Sequence, residues 1–237
     1  MKLYQIREQA REALKGKWGK GALITLAYFV FAFALGFVNA LFEQGSTMYS
    51  LIEIAITIIQ VPIAFGFIYS FIKLKRNEEV KAFDFLSLGF SNFKRSWVIS
   101  LRVVLKTIVP FIVMVVSIML STGALVGLIL FQVSYIWMML KILYYSLTTF
   151  IAYDNPNMTS SEVVNESRRM MEGNRWKIFV LSLSFIGWII LTVCTFGIGY
   201  FWLLPYMQVA SICFYESLLG KDNDENINNN NDAIVEM

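Results

Sequence analysis

The stretch SFIGWIILTVCTFGIGYFWLLPY, residues 184–206, contains no charged side chain, and the charge-free run around it is 38 residues long. A helix of that length would measure about 57 Å, whereas the hydrocarbon core of a bilayer is about 30 Å thick. The run is therefore long enough for two crossings. Gly197 and Gly199 lie near its middle, and glycine readily adopts the positive φ angles of tight turns. We predict spans at residues 178–195 and 200–218, joined by a hairpin turn at these glycines.

The composition of the whole chain is apolar. Of its 237 residues, 57% are hydrophobic and 16% are charged, against about 25% charged residues in an ordinary soluble domain. So few charges would leave a water-exposed surface uncovered, whereas lipid solvates the outside of a membrane protein. The composition therefore predicts an all-α membrane protein that is anchored in the lipid bilayer by several spans.

Four further apolar stretches precede the long run, separated by polar and basic segments. Each reaches the length of a spanning helix, which is about 17 to 25 residues, and the fourth exceeds it. They cover residues 21–42, 51–74, 103–120 and 124–151. Together with the two halves of the long run, they predict six transmembrane helices, arranged as three hairpins, in an integral membrane domain of residues 1–219.

Lysine and arginine fall on one side of the six predicted spans. The segments assigned to the other side, residues 43–46, 121–123 and 197–199, contain no lysine or arginine. Because basic residues are retained preferentially on the cytoplasmic side, we expect a cell-membrane protein with both termini in the cytoplasm. Residues 220–237 are acidic and rich in asparagine. They contain too few apolar groups to fold alone, and we predict a disordered cytoplasmic tail.

Each predicted hairpin is preceded by a short cytoplasmic segment with an amphipathic pattern. The apolar positions are Leu3, Ile6, Ala10, Ala13 and Leu14 in the first segment, Phe83, Leu86, Phe90 and Phe93 in the second, and Val163, Val164, Ser167, Met170 and Met171 in the third. Thr159 and Glu162 have the spacing of a capping box, and Gly173 is placed to end the third helix. These patterns predict three short amphipathic helices that lie on the inner membrane surface.

Three tryptophans, Trp18, Trp97 and Trp176, are evenly spaced along the chain, 79 residues apart. Each follows one amphipathic segment and precedes one predicted hairpin. Since indole rings favour the membrane interface, we expect these residues to be interface anchors. Their shared position in the pattern favours a pseudo-threefold repeat, in which each unit consists of an amphipathic helix, a span, a turn and a second span.

The sequence contains no recognisable pattern of catalytic or metal-ligating residues. It has no histidine, and the spacing of its two cysteines matches neither a zinc site nor a redox motif. A glycine-rich nucleotide loop and the motifs of metalloproteases and serine hydrolases are also missing. We therefore expect no catalytic residues, no metal site and no cofactor. Nothing in the charge pattern indicates a nucleic-acid partner.

Three cations are candidate contacts for a lipid or another anion. Arg102 and Lys106 are spaced i, i+4 at the inner end of the third predicted span, where they could bind anionic headgroups or an anionic substrate. Alternatively, their stems follow the helix and only their charges reach the interface. If the fourth span continues to Ile151, Lys141 lies near the middle of the membrane and needs a partner. If that span ends near Leu143, Lys141 is an ordinary interfacial cation.

Four segments of the chain are long and distinctive enough to compare with known families. They are MEGNRWKIFVLSLSFIGWIILTVCTFGIGYFWLLPYMQVASICFYESL (171–218), REQAREALKGKW (7–18), KLKRNEEVKAFDFLSLGFSNFKRSW (73–97) and IAYDNPNMTSSEVVNESRRMMEGN (151–174). They resemble a bacterial integral membrane family catalogued as domain of unknown function nine-seven-five. More loosely, the layout is similar to the membrane domain attached to some glycerophosphodiester phosphodiesterases. The resemblance implies a multi-span plasma-membrane protein, and it supplies no reaction, cofactor or site residue.

Three kinds of function are compatible with these features. The first is a non-enzymatic module that organises lipids or partner proteins at the inner membrane face, with anionic lipids and a membrane protein as its expected partners. The second is a small transporter or a component of export or self-protection, which the repeated hairpins and Lys141 would serve. The third, a lipid-modifying enzyme, would need a nucleophile or an acid pair that no motif supplies. We favour them in this order.

Overall fold

The computed structural model describes residues 3–120 and 125–235, and these residues form eleven α-helices and no strands. The helices are α1 (Leu3–Leu14), α2 (Trp18–Ala40), α3 (Thr47–Lys75), α4 (Asp84–Ser91), α5 (Phe93–Leu120), α6 (Leu125–Tyr144), α7 (Thr148–Asp154), α8 (Ser160–Met171), α9 (Arg175–Leu183), α10 (Ile186–Cys194) and α11 (Tyr200–Val235). The predicted outer turn at residues 121–123 lies outside the described part of the chain.

Five segments of the described chain are long and apolar enough to cross a membrane. They are Trp18–Ala40, Thr47–Lys75, Phe93–Met119, Val126–Asp154 and Arg175–Cys194. The prediction of an all-helical protein with several membrane-spanning helices is therefore confirmed at this level. The sixth predicted span, residues 200–218, forms the first part of α11 and is not among the five. It contains Gln208 and Glu216, which lower its hydropathy, and the count of six stays a prediction.

Two of the predicted spans are interrupted by a break in the helix. The fourth is broken between α6 and α7, and the fifth between α9 and α10. At both breaks a serine hydroxyl donates to the carbonyl three residues earlier, from Ser146 to Leu143 at 2.9 Å and from Ser184 to Leu181 at 2.6 Å. Because such side chains compete for backbone acceptors and tighten the turn, the helices bend where a long apolar run alone predicted continuity.

The buried core lies at one end of the bundle. All buried residues of α3 lie between Pro62 and Leu74, and those of α2 lie between Gly21 and Ala27. Since α2 and α3 are consecutive and joined by a short turn, these two stretches are at the same level of the bundle. We call this level the inner end and the level of residues 41–46 the outer end. The short helices α1, α4, α7 and α8 contribute buried residues to the inner end.

Two of the predicted amphipathic helices bury their apolar faces in the protein. In α1, Ile6, Ala10 and Leu14 are buried, and the helix packs against α11. In α8, all five predicted apolar positions are buried. The expectation that these faces lie on the membrane surface is therefore corrected for α1 and α8, because the inner ends of the long helices offer them an apolar protein surface. The capping box of α8 forms as predicted, with Thr159 and Glu162 exchanging hydrogen bonds.

The middle amphipathic helix, α4, uses a different face from the predicted one. Phe85 and Gly89 are buried, whereas Phe83 and Phe90 of the predicted stripe are about half exposed. The reason is a close approach of α4 to α3. A Cβ added at Gly89 would lie 2.5 Å from the carbonyl oxygen of Pro62, and one added at Gly66 would overlap backbone atoms of α4. Only glycine allows two backbones to meet at this distance.

The helices of the bundle contact one another in a cyclic order. α4 and α5 pack against α3, α8 and α9 pack against α6, and α1 and α2 pack against α11. Each amphipathic helix and the apolar helix after it therefore contact the last long helix of the preceding hairpin. The first hairpin contacts the third in the same way, which closes the circle.

The last helix continues beyond the predicted membrane domain. α11 is helical to Val235, and the structure describes its side chains only as far as Gly220. The sequence predicts a disordered tail at residues 220–237, because asparagine and charged residues offer no apolar face for packing. That disorder stays a prediction.

Candidate functional site

Four charged side chains meet at the inner ends of α3, α7 and α11, and we call them the inner charge cluster. Arg76 donates two hydrogen bonds to Asp154, from Nη1 to Oδ1 at 2.7 Å and from Nη2 to Oδ2 at 3.0 Å. Lys75 pairs with Oε2 of Glu216, and Oε1 of Glu216 lies 4.0 Å from Nε of Arg76. The cluster therefore joins one helix from each of the three hairpins.

The surroundings of Arg76 favour its charged form. Its guanidinium carbon lies 5.6 Å from the centre of the Tyr153 ring, within the range of a cation–π contact. The hydrogen bonds to Asp154 raise the pKa of Arg76 above its ordinary value. Since two cations face two carboxylates, the inner charge cluster is balanced within the protein. Its ion pairs connect the end of α3 to α7 and to α11.

An open cleft of about 560 Å³ lies beside this cluster, between α1, the end of α3 and α11. Lys15, Lys17 and Lys75 line it together with Glu12 and Glu216. The ammonium group of Lys17 donates to the carbonyl of Leu74, the penultimate residue of α3, at 2.9 Å. The carboxylates offset most of the positive charge, so the cleft has no strong preference for an anion.

A second polar cavity, of about 270 Å³, lies between α6, α8 and α9. Lys141, Arg168 and Arg175 line it, and we call it the three-cation pocket. The centre of the Tyr144 ring lies 4.3 Å from the guanidinium carbon of Arg175 and 6.0 Å from that of Arg168. The structure thus places the predicted contact Lys141 beside two arginines that the sequence did not single out.

Lys141 lies in the last turn of α6, which ends at Tyr144. The helix bends three residues after the lysine, and the apolar segment Val126–Asp154 continues past it, so the depth of Lys141 in the membrane stays a prediction. Its ammonium group forms no ion pair or hydrogen bond within the described part of the chain. Lys141 is therefore available to an external anion.

An apolar groove of about 470 Å³ adjoins the three-cation pocket, and we call it the α6–α9 groove. Its lining shares Leu140 and Arg175 with the pocket. The remaining lining residues are Tyr135, Ile136, Met139, Ile142, Leu143, Trp176 and Phe179. A cavity lined by three cations therefore adjoins an apolar one.

The other two predicted cation contacts lie elsewhere. Arg102 and Lys106 are exposed on one face of α5, and neither lines the three-cation pocket. Neither forms an ion pair among the described residues. They present charge to the surroundings of the bundle without an enclosing cavity.

Trp97 has a specific partner in the neighbouring hairpin. Its indole Nε1 donates to the carbonyl oxygen of Ile58 in α3 at 3.0 Å. Residue 58 is four positions before Pro62, which has no amide hydrogen to offer that carbonyl. A freed backbone carbonyl at membrane depth needs another donor, and the indole of Trp97 supplies it.

The other two predicted anchors also lie against a helix of the preceding hairpin. The ring of Trp18 is 6.0 Å from that of Tyr206 in α11. Trp176 lines the α6–α9 groove and remains 69% exposed. Trp18 and Trp97 therefore contact the last long helix of the hairpin before them, and Trp176 lines a groove together with the corresponding helix, α6. Their role at the membrane interface stays a prediction.

The two glycines of the predicted hairpin turn lie between α10 and α11. Gly197 has a φ of +86° and Phe196 before it a φ of +51°, and the amide of Gly197 donates to the carbonyl of Thr192 at 2.8 Å. The amide of Gly199 donates to the hydroxyl of Thr195 at 3.1 Å. Phe196 is 99% exposed, as expected for a residue at the tip of a turn that meets lipid or the membrane surface.

Metal-binding geometry is absent from the residues that the structure describes. None of them form a group of three or more aspartate, glutamate or cysteine side chains close enough to hold a metal ion. Both cysteines are free thiols, Cys194 exposed and Cys213 buried. The carboxylates of the inner charge cluster are engaged by Lys75 and Arg76.

Sequence reasoning missed the inner charge cluster, although a signal for it exists. Lys75 and Asp154 are 79 residues apart, which is also the spacing of the three tryptophans, and so are the buried Phe71 and Phe150. If the 79-residue spacing of the tryptophans is applied to the second span of each hairpin, Lys75 aligns with Asp154 and Phe71 aligns with Phe150. The partner on α11 breaks the spacing, so Glu216 could not be found in this way.

Comparison with known proteins gives one match. No curated protein and no solved structure matches the chain, and the looser likeness to the phosphodiesterase membrane domain stays a prediction. A family model matches residues 1–222, which is nearly the whole described chain. The family carries the description "Protein of unknown function (DUF975)". With its apolar helices and this match along almost all of its length, the chain belongs to that family.

Proposed function

We propose that this chain is a non-enzymatic module of the cell membrane that organises anionic lipids, and proteins associated with them, at the cytoplasmic face. The observation that carries the proposal is the set of exposed cations at or near the inner end that form no ion pair within the described part of the chain. They are Arg11, Lys15, Lys20, Lys81, Lys94, Arg102 and Lys106. Basic residues near an anionic membrane surface attract its lipids.

The proposed topology has six spans with both termini in the cytoplasm. The described outer connections, residues 41–46 and 195–199, contain no lysine or arginine, which supports an extracellular position for that end. The sixth span would be formed by residues 200–218 of α11. With five spans the two termini would lie on opposite sides, and Lys221 would be outside the cell.

A pseudo-threefold repeat is part of the proposal. The cyclic order of helix contacts supports it, and so do the contacts of Trp18 and Trp97 with the last long helix of the preceding hairpin. The helix ends at Gly16 and Gly173 add to this support, since both have φ near +75° and follow α1 and α8 by the same number of residues. In this arrangement three similar units present three basic segments to the same leaflet.

α4 supports a direct contact with the inner leaflet. Phe83 and Phe90 are exposed, and the ring of Phe90 is stacked on that of Phe93 at 6.2 Å. Lys81 and Lys94 flank this aromatic group and are exposed. Aromatic and basic side chains grouped on a short helix and in the residues that flank it are typical of segments that rest on an anionic membrane surface.

The experiment that tests this function is lipid retention. The full chain is purified in detergent and mixed with equal amounts of phosphatidylglycerol and phosphatidylcholine with the same acyl chains, and bound lipid is counted by native mass spectrometry. We expect phosphatidylglycerol to be retained at least about fivefold more than phosphatidylcholine, because each basic residue near an anionic surface contributes about 1 kcal/mol. Equal retention of the two lipids would refute the proposal.

The topology has its own test. Single cysteines at residues 45, 198 and 228, in a chain with Cys194 and Cys213 replaced by serine, are probed in intact cells with a membrane-impermeant maleimide. We expect labelling at 45 and 198 and none at 228 until the cells are opened. Labelling at 228 in intact cells would contradict the cytoplasmic C-terminus and with it the six-span arrangement.

A further inference from the structure

We propose that the three-cation pocket and the α6–α9 groove together bind one anionic phospholipid of the inner leaflet. The pocket would hold the phosphate and the groove would hold the first part of an acyl chain. This inference rests on the proposed function for the orientation of the bundle. The proposed function requires only a general attraction of anionic lipids to exposed cations. The present proposal specifies one binding site, one bound lipid and the residues that contact it.

Uncompensated charge is the first reason. Lys141, Arg168 and Arg175 line one cavity, and no aspartate or glutamate is among its lining residues. The guanidinium carbons of the two arginines can be no farther apart than the sum of their distances to the Tyr144 ring, 10.3 Å. Like charges held this close repel one another unless an anion lies between them.

Internal partners offset only part of this charge. The ring of Tyr144 stabilises the two guanidinium groups through cation–π contacts. Glu172 pairs with Arg168 at 3.5 Å, but both side chains are more than half exposed, and exposed pairs of this kind contribute little. Arg175 and Lys141 have no carboxylate partner among the described residues. An external phosphate would complete the site.

The apolar groove is the second reason. Eight of its nine lining residues are apolar or aromatic, and the ninth is Arg175, which it shares with the pocket. A soluble anion would bind the cations and leave the apolar groove empty. A phospholipid has a phosphate for the pocket and an acyl chain for the groove beside it. The nature of the groove therefore selects a lipid among the possible anions.

The direction of the two helices is the third reason. α6 ends at the inner level just after Lys141, and α9 begins there at Arg175. Tyr135 and Ile136 of the groove lie beyond the pocket residues of α6 towards the outer end, and Phe179 lies one turn beyond Arg175 in the same direction on α9. One leaflet contributes about half of a hydrocarbon core of about 30 Å. A lipid with its phosphate in the pocket would therefore have its chain in the groove at its natural depth.

The experiment compares two pairs of substitutions that remove the same charge. Lys141→Gln with Arg175→Gln changes the pocket, and Lys73→Gln with Arg169→Gln removes two cations that pair with Glu78 and Glu166 and do not line it. Native mass spectrometry with the lipid pair described above counts bound phosphatidylglycerol. We expect the wild type to retain one tightly bound phosphatidylglycerol, the pocket variant to lose about tenfold in its preference for this lipid, and the control variant to keep the single bound lipid.

A second pair of variants tests the groove without changing charge. Met139→Trp fills the groove, and Val133→Trp adds the same side chain at an exposed position of α6 that does not line it. We expect Met139→Trp to reduce retention of the single lipid severalfold and Val133→Trp to leave it unchanged. Elution as a single symmetrical peak in size-exclusion chromatography shows that each variant is folded.

The outcomes separate the two proposals. If the wild type shows no preference for phosphatidylglycerol, both fail. If it shows the preference and the pocket and control variants lose it equally, the defined site is wrong and the general attraction stands. If 10 mM glycerol phosphate displaces the bound phosphatidylglycerol completely, the groove does not contribute, and the assignment to a phospholipid is overturned.

Discussion

The inner and outer ends of this bundle are built in different ways. At the inner end, helices from all three hairpins and four short helices share one buried core, which includes Phe71, Phe85 and Phe214 at 1% exposure or less. At the outer end, large apolar side chains such as Phe33 and Leu41 are exposed to 76% and 67%. In the most apolar windows of the five candidate spans, only 11% to 22% of the residues are buried.

This difference follows from the solvent that each end meets. Water drives apolar surfaces together, and the buried core of the inner end has the packing of a domain that folds in water. Within the bilayer, lipid tails solvate leucine and phenylalanine as well as another helix does, and no hydrophobic force draws helices together. Substitutions at the two ends should therefore differ in their effect on the free energy of unfolding.

The largest difference is expected for glycine. Gly66→Val places a branched side chain into the backbone of α4, and we expect a loss of about 3 kcal/mol or more in the free energy of unfolding. In the matched control Gly36→Ala, a Cβ on α2 meets no atom within 4 Å, and stability should stay equal or rise by up to about 1 kcal/mol. Thermal unfolding in detergent measures both. Equal unfolding temperatures for Gly66→Val and the wild type would contradict the close contact of α3 with α4.

The same change of side chain at the two ends sharpens the comparison. Phe71→Leu leaves a cavity in the inner core, where Phe71 is fully buried, and should cost about 1–2 kcal/mol. Phe33→Leu at the outer end replaces one lipid-exposed side chain by another and should change stability by less than about 0.5 kcal/mol. Unfolding of the two variants in lipid nanodiscs measures the difference. Similar losses at both positions would mean that the outer ends also pack against each other.

The inner charge cluster should contribute a measurable coupling. A double-mutant cycle with Arg76→Ala and Asp154→Ala isolates their interaction. We expect a coupling of about 1–2 kcal/mol, because the pair forms two hydrogen bonds and the side chain of Asp154 is only 18% exposed. The control cycle of Arg169 and Glu166, a more exposed pair on one helix, should give about 0.5 kcal/mol or less. If the two cycles gave couplings of equal size, the Arg76–Asp154 pair would contribute no more to stability than an exposed ion pair on one helix.

The smallest expected effect concerns the tryptophans. Trp97→Phe removes the indole donor from the carbonyl of Ile58 and should lower the free energy of unfolding by about 1 kcal/mol. Trp176→Phe changes a largely exposed ring and should lower it by less. Thermal unfolding of the two single variants checks the order. The reverse order would argue that the bond from Trp97 to Ile58 does not form.

Sequence patterns predicted the amphipathic helices better where charge and apolar residues alternate clearly. The stripe of α8 was predicted residue by residue, with its cap at Thr159 and its end at Gly173. For α4 the sequence predicted the wrong apolar face. Both faces of this helix carry apolar residues, so the periodicity does not indicate which of them is buried. The choice depends on Gly66 in a different helix, and no local pattern carries that information.

The candidate sites were only partly predictable for the same reason. Lys141 is visible in the sequence because a charge within an apolar run is costly. Arg168 and Arg175 look like ordinary helix-surface cations until α8 and α9 are placed beside α6. The inner charge cluster needs residues from three hairpins, and the adjacent Lys75 and Arg76, Asp154 and Glu216 are separated from one another by more than sixty residues along the chain.

By itself, the amino-acid sequence determined that this protein is helical, that it has several apolar helices of membrane-spanning length and which family it resembles. These properties follow from composition and short-range periodicity, since lipid and backbone hydrogen bonding act on each segment separately. Only the tertiary structure decided which faces are buried, where the long helices break and which cations converge at Tyr144. Those features depend on contacts between distant segments, because packing and electrostatics act through space and not along the chain.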